Sequence, residues 1–333
     1  MKKNDVYKGF EVLDVFKIPY YDSEGIFLRH KKSGLEVFHI LNNDEENLFA
    51  FAFRTPCKDS TGVSHIIEHS VLCGSKKFPI KDPFLQLRNQ SINTYLNAYT
   101  AKDRTVFPAS SLIKTDYFNL MSVYADAVFF PILNAETFLQ EGWRIETDQN
   151  GNPIIQGVVF NEMKGNYSSF NSVATDVVLN ASVLGTGYEK DSGGDPLEIP
   201  TLTYEQFKEF HKKYYCAANC LVFLYGNIPT EEQLDFLDEN VIKNIKSSGK
   251  KYSFASENSF VKMKKRIDAF GPAEDSKNTT AVVWKIGDSA EKENLFSLPM
   301  EISFLSELLL GKDSAPVIKL LLNKFKGCDI APQ

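Results

Sequence analysis

Alternating apolar and polar positions open the chain. Residues 10–17 alternate and predict a strand. Residues 26–30 and 35–41 are β-rich runs around the turn Lys32-Ser33-Gly34, a hairpin signal. Residues 48–54, Leu48-Phe49-Ala50-Phe51-Ala52-Phe53-Arg54, are nearly continuous in apolar character and predict a further strand. The period then changes. After a turn-rich loop from Thr55 to Gly62 comes a short helix with Thr61 or Ser64 as candidate N-cap, closed near Cys73-Gly74-Ser75. Asp82-Pro83-Phe84 starts another short helix. Residues 93–100 and 104–109 predict a strand pair.

Helical spacing dominates the next stretch. Tyr117, Leu120, Met121, Tyr124, Ala125 and Val128 mark one face of a helix over 113–129 that packs on the sheet, with Pro131 as its stop. Residues 135–145 predict a second helix with Phe138, Leu139 and Trp143 inward. From Gly157 a long helical stretch is expected to run beyond Asp176, followed by a loop at 190–196. Thr203-Tyr204-Glu205-Gln206 is a capping box opening a helix to Tyr214. A strand over 220–225 and a helix over 230–245 complete this part. Ser247-Ser248-Gly249-Lys250-Lys251 reads as a boundary. Beyond it, strands at 260–270 and 279–286 and a helix at 295–310 repeat the opening order. The expectation is an α+β fold, an antiparallel-rich mixed sheet packed by helices, over residues 1–250. Residues 251–333 would begin a second, structurally related domain that looks cut off.

Composition narrows the class. The 333 residues carry a net charge of −6, with 43% apolar and 24% charged residues. The densest basic tract is Lys262-Met263-Lys264-Lys265-Arg266, which argues against nucleic acid as the main partner. No run approaches 18 apolar residues, so no membrane span is expected, and no secretory signal is evident. Five cysteines without framework spacing (Cys57, Cys73, Cys216, Cys220 and Cys328) favour a reducing compartment. That is the cytoplasm, or an organelle matrix if a targeting segment was removed. Cys216 and Cys220 read as small buried residues at a helix end.

The chemistry concentrates in His65-Ile66-Ile67-Glu68-His69. Residues i and i+4 of a helix lie on one face, so His65 and His69 can hold one metal ion, and Glu68 at i+3 can reach a water bound to it. A catalytic zinc takes three protein ligands and keeps one position open. Glu162, an acid in the otherwise apolar run Val158-Val159-Phe160-Asn161-Glu162-Met163, is the candidate third ligand, with a solvated helix acid as the alternative. Glu68 would be the general base. His30, His39 and His211 read as structural or surface residues.

The run from Gly62 to Ser75 resembles the pitrilysin/insulysin superfamily of inverted-motif zinc peptidases, in its presequence-protease (falcilysin-like) branch. Three further blocks look like segments of that branch: Gln140-Glu141-Gly142-Trp143-Arg144, Gly157-Val158-Val159-Phe160-Asn161-Glu162-Met163-Lys164-Gly165, and Ser192-Gly193-Gly194-Asp195-Pro196 with Ile199-Pro200 and Leu202-Thr203-Tyr204. The resemblance implies a zinc metalloendopeptidase of unstructured peptides, with one zinc per chain and Glu162 as the third ligand. It implies a substrate-binding edge strand at Asn97, Ala98 and Tyr99. It also implies four related domains in two halves that close around the peptide. Against that plan the chain reads as an N-terminal portion with a complete zinc site, little activity alone and a C-terminal half of the same enzyme as its missing partner. The other reading is a non-catalytic peptide-binding or assembly subunit of the same fold.

Overall fold

The computed structural model describes residues 1–81, 83–183, 187–253, 280–281 and 297–326. The chain falls into two compact units, Met1–Thr280 and Ala281–Gln333. The strands expected at 260–270 and 279–286, and Cys328, lie outside the described residues.

Among the described residues, the first unit is built on a nine-stranded sheet. The chain enters through β1 (Val6–Tyr7), β2 (Phe10–Ile18), β3 (Ser23–His30), β4 (Glu36–Leu41) and β5 (Asn47–Arg54). After two helices, α1 (Val63–Val71) and α2 (Pro83–Gln90), come β6 (Asn93–Leu96), β7 (Tyr99–Thr100) and β8 (Arg104–Ser111). Two helices follow, α3 (Lys114–Phe129) and α4 (Ala135–Glu141), then a two-stranded hairpin of β9 (Arg144–Thr147) and β10 (Pro153–Gln156). Next are α5 (Val158–Tyr167), α6 (Phe170–Ser182), α7 (Tyr204–Tyr214), β11 (Cys220–Gly226) and α8 (Thr230–Leu237). The second unit contains α9 (Ser297–Leu310) and α10 (Pro316–Lys324), which contact each other.

Sheet order is β1-β2-β3-β4-β11-β5-β8-β6, with β7 also paired to β8. Every pairing is antiparallel except β4 with β11. The sheet is therefore mixed and antiparallel-rich, as the alternation implied. The late strand β11 is inserted between β4 and β5, where Val222 pairs with both Val37 and Phe51.

Helix α3 lies against β5 and β8. Its expected apolar face (Tyr117, Leu120, Met121, Tyr124, Ala125 and Val128) is fully buried. Tyr117 and Tyr124 meet Phe49 of β5 edge-on, with ring centroids 5.4 and 5.6 Å apart. Each large side chain buried in this way contributes about 1.5–3 kcal/mol of transfer free energy.

Several local expectations change. Helix α1 is capped by Gly62, not by a Thr61 or Ser64 side chain. Thr61 donates to Asp59 and Ser64 to the Ser192 carbonyl, so both hydroxyls are engaged elsewhere. Helix α4 stops at Glu141 because residues 144–147 pair with 153–156 instead, and Leu139 faces outward, 43% exposed. The long helix after Gly157 is two helices, with Ser169 capping the second. The strand expected over 93–100 is interrupted at Asn97 and Ala98. Helix α8 continues past Leu237 as a π-helical turn, Asp238–Ile242. His30 and His39 are buried, bonded to Ser33 and Thr230, and His211 bonds the Val128 carbonyl. Cys216 and Cys220 are buried free thiols. At the expected boundary, Lys251 donates to Glu36 and Tyr252 N–H to Asn219, so residues 251–252 pack on the first unit.

Candidate metal centre

Helix α1 presents His65 and His69 on one face, their ring centroids 4.8 Å apart. Helix α5 supplies Glu162. Its Oε2 lies 3.7 Å from His65 Nε2 and 3.8 Å from His69 Nε2. One donor atom from each of the three residues falls within 4.8 Å of the others. Two donors at about 2.1 Å from a tetrahedral zinc stand about 3.4 Å apart, so this two-imidazole, one-carboxylate set fits a zinc ion with little movement.

The imidazoles are oriented from behind. His65 Nδ1 lies 3.1 Å from the Gly193 carbonyl, and since that oxygen can only accept, Nδ1 carries the proton. His69 Nδ1 lies 3.3 Å from Glu141 Oε2. Both bonds leave Nε2 as the lone-pair nitrogen, the tautomer a metal needs. Glu141 is 5% exposed. Burial alone would raise its pKa, but the bonds from His69 and Gln140 outweigh burial and hold it below the ordinary carboxylate value. For His69 the balance runs the other way. Burial would lower its pKa, but the Glu141 bond and the charges of Glu68, Glu141 and Glu162 raise it. Glu68 is 7% exposed, and burial lifts its carboxyl above the ordinary value. The Thr100 hydroxyl, 2.6 Å from Glu68 Oε2, pulls against that shift.

Close backbone contact explains the glycines of the 190–196 loop. Gly62 has φ +68°, and a Cβ there would meet the Gly193 carbonyl oxygen at 2.6 Å and Gly194 Cα at 3.0 Å. Gly194 has φ +110°. The loop is drawn in further by Asp195 N–H to the Ser60 carbonyl, 2.8 Å, and by the Ser64 hydroxyl on the Ser192 carbonyl, 3.3 Å. The N-terminus of α1 and the carbonyl that orients His65 are thus packed backbone to backbone.

Asn97, Ala98 and Tyr99 lie on the β6–β7 edge of the sheet, with Asn97 and Tyr99 exposed. The Asn97 backbone is engaged inward: its N–H donates to the Pro108 carbonyl and its carbonyl accepts from Tyr124 Oη at 3.1 Å. The same edge brings Thr100 onto Glu68. Sequence reasoning assigned no role to Thr100, Glu141 or Gly193. The family-like blocks contain Glu141 and Gly193, but nothing in their spacing indicates which histidine each would meet.

The geometry defines an α+β domain with an inverted histidine–glutamate–histidine helix facing a carboxylate that completes a three-residue donor set. Comparison with known proteins agrees. Residues 54–175 match the model of Insulinase (Peptidase family M16), and residues 201–329 match that of the Peptidase M16 inactive domain. The chain is 40% identical over 329 residues to protein HypA of Clostridium perfringens, covering 97% of this chain and 33% of the relative. It is 39% identical over 327 residues to presequence protease 1, chloroplastic/mitochondrial, of Arabidopsis thaliana, covering 96% and 30%. Crystalline pitrilysin superposes with a TM-score of 0.55 at 20% identity, over 73% of this chain and 25% of that one, which speaks for the fold. The chain belongs to peptidase family M16, in its presequence-protease branch. It spans about a third of the length of the curated relatives it matches. Among the described residues, no helix is long and apolar enough to cross a membrane.

Proposed function

We propose that this site hydrolyses peptide bonds with zinc, held by His65, His69 and Glu162. The observation that carries the reading is the convergence of His65 Nε2 and His69 Nε2 on one oxygen of Glu162, 3.7 and 3.8 Å away. Membership of a peptidase family supports the reaction class. Bound zinc would supply Lewis acidity and lower the pKa of water to about 7. Glu68, on the same face of α1, takes the proton from the attacking water and returns it to the leaving amine. The Glu141 and Gly193 bonds hold the imidazoles in register. The exposed edge at Asn97, Ala98 and Tyr99 accepts an extended peptide by strand addition, which selects unstructured substrates.

The alternative, a non-catalytic subunit, would draw on the "inactive domain" description, but that match covers residues 201–329. His65, Glu68, His69 and Glu162 all lie outside it. We retain the expectation that a second half completes a substrate chamber. Turnover by the 333 residues alone at ordinary enzyme rates, about 1–10³ s⁻¹, would remove that expectation. The zinc reading is tested by metal analysis and peptide cleavage. One zinc per chain should be present and should be lost in Glu162→Ala. In the full-length protein, Glu68→Gln should keep the zinc and lower cleavage by about 10²–10⁴-fold. A chain that takes up no zinc, or a full-length Glu68→Gln variant as active as its parent, refutes the reading.

A further inference from the structure

The base proposed above is tied to the sheet edge by a line of threonine hydroxyls. Thr100 Oγ1, on β7, lies 2.6 Å from Glu68 Oε2. Thr105 Oγ1, on β8, lies 3.4 Å from Thr100 Oγ1, and Thr55 Oγ1, just past β5, lies 2.8 Å from Thr105 Oγ1. Thr55 and Thr105 are fully buried, and Glu68 is nearly so. Each hydroxyl has one proton, and an ionised carboxylate can only accept. Thr100 must therefore give its proton to Glu68, since its other acceptor, the Ser64 carbonyl, is farther away at 3.5 Å. With that proton committed, a bond between Thr105 and Thr100 needs Thr105 as its donor, and the Thr55–Thr105 bond then needs Thr55 as its donor. The carboxylate sets the direction of the whole line, and hydrogen bonds aligned in this way polarise one another.

We propose that Thr100 is the positioning residue for Glu68: backed by Thr105 and Thr55, it pins Oε2 and leaves Oε1 as the working oxygen of the base. Thr100 follows directly on Asn97, Ala98 and Tyr99, so the edge offered to the peptide and the carboxylate that activates water are held by one short segment, 97–100. A peptide that pairs with this edge is registered against the base without a separate adjustment. This inference rests on the peptidase reading of the site.

The test compares the zinc-loaded full-length protein with its Thr100→Val, Thr100→Ser, Thr105→Val and Glu68→Gln variants on an unstructured peptide. In parallel, metal-free samples labelled with ¹³C at the glutamate carboxyl are compared by NMR, with Glu68→Gln assigning the Glu68 resonance. Thr100→Val should bind the parent amount of zinc and lose about 10-fold or more in kcat, with KM changed by less than about 2-fold, as expected for a lost bond to a charged group. Thr100→Ser should recover to within about 3-fold of the parent, and Thr105→Val should lose about 2–3-fold, less than Thr100→Val. The Glu68 resonance should move in Thr100→Val and stay in Thr100→Ser. Parental kcat in Thr100→Val, or a rise in KM with kcat intact, overturns the proposal while leaving the zinc reading standing. If parent and Glu68→Gln are equally inactive in the full-length protein, the peptidase reading falls. The resonance then decides alone: movement in Thr100→Val upholds the positioning bond, and no movement refutes it. A melting curve for each variant separates misfolding from either outcome.

Discussion

Replacing Gly62 by alanine should damage both the fold and the metal centre. Two costs can be separated. Gly62 sits at φ +68°, a left-handed conformation that costs an L side chain about 1–2 kcal/mol. A methyl there would also lie 2.6 Å from the Gly193 carbonyl oxygen, whereas ordinary contact begins near 3.4 Å. The loop must retreat by about 0.8 Å, and overpacking of this kind costs about 1–3 kcal/mol. Together the loss is about 2–5 kcal/mol, or a melting temperature lower by roughly 5–15 °C for a unit of this size. The retreating carbonyl is the one that holds His65 Nδ1. Metal ligands tolerate displacement of only about 0.2 Å, so zinc affinity should fall as well. Gly151 is the control. Its φ is +85°, but a Cβ there meets nothing within 4 Å, so Gly151→Ala should show only the conformational cost of about 1–2 kcal/mol and bind zinc normally. Urea unfolding and competition with a chromophoric chelator read both quantities. Equal losses in the two variants, or undiminished zinc affinity in Gly62→Ala, would refute the contact argument.

Three further expectations follow from buried polar groups and caps. Burial lowers the His39 imidazole from its ordinary 6.5 to about 4, so between those values the unfolded chain binds a proton that the folded one does not. Stability should therefore be intact above about pH 6.5 and fall as pH drops toward 4, by up to roughly 3 kcal/mol from this residue; unfolding of His39→Leu across that window should show a flatter slope, and an unchanged slope contradicts the assignment. Asn134 caps α4 by accepting from Thr137 N–H at 2.8 Å, and Asn134→Ala should cost about 1 kcal/mol in urea unfolding, an unaltered midpoint counting against it. Tyr124→Phe removes the hydroxyl that donates to the Asn97 carbonyl, with an expected loss of about 1 kcal/mol; faster amide exchange along β6 and β7 is the accompanying sign, and its absence argues against a role in holding the edge.

What the sequence by itself determined is local. Alternation over residues 10–17, β-rich runs at 26–30 and 35–41 and a nearly continuous apolar run at 48–54 specified four strands and a hairpin, each a property of one short stretch of chain. The apolar spacing of α3 named its buried face residue by residue, and Thr203 with Gln206 marked the start of α7 through a capping box that forms as expected. The i, i+4 spacing of His65 and His69, with Glu68 beside them, is likewise a property of one short helix. Expectations failed where a local signal met a distant partner. Thr61 and Ser64 are good capping residues in isolation, but Asp59 and the Ser192 carbonyl take their hydroxyls. Residues 144–145 are expected to end a helix, yet they open a strand, 144–147, that pairs with 153–156, because strand pairing satisfies both backbones.

Only the tertiary structure decided the rest. It set β11 between β4 and β5, a placement that no periodicity encodes. It brought Glu162 to the two imidazoles across 93 residues of chain from His69. It also chose the three supports of the site: Glu141 for His69, the Gly193 carbonyl for His65 and Thr100 for Glu68. The physical reason is the same in each case. A helix can display donors on one face unaided, but which acceptor lies opposite depends on how distant segments pack, and that is settled by burying the core as a whole.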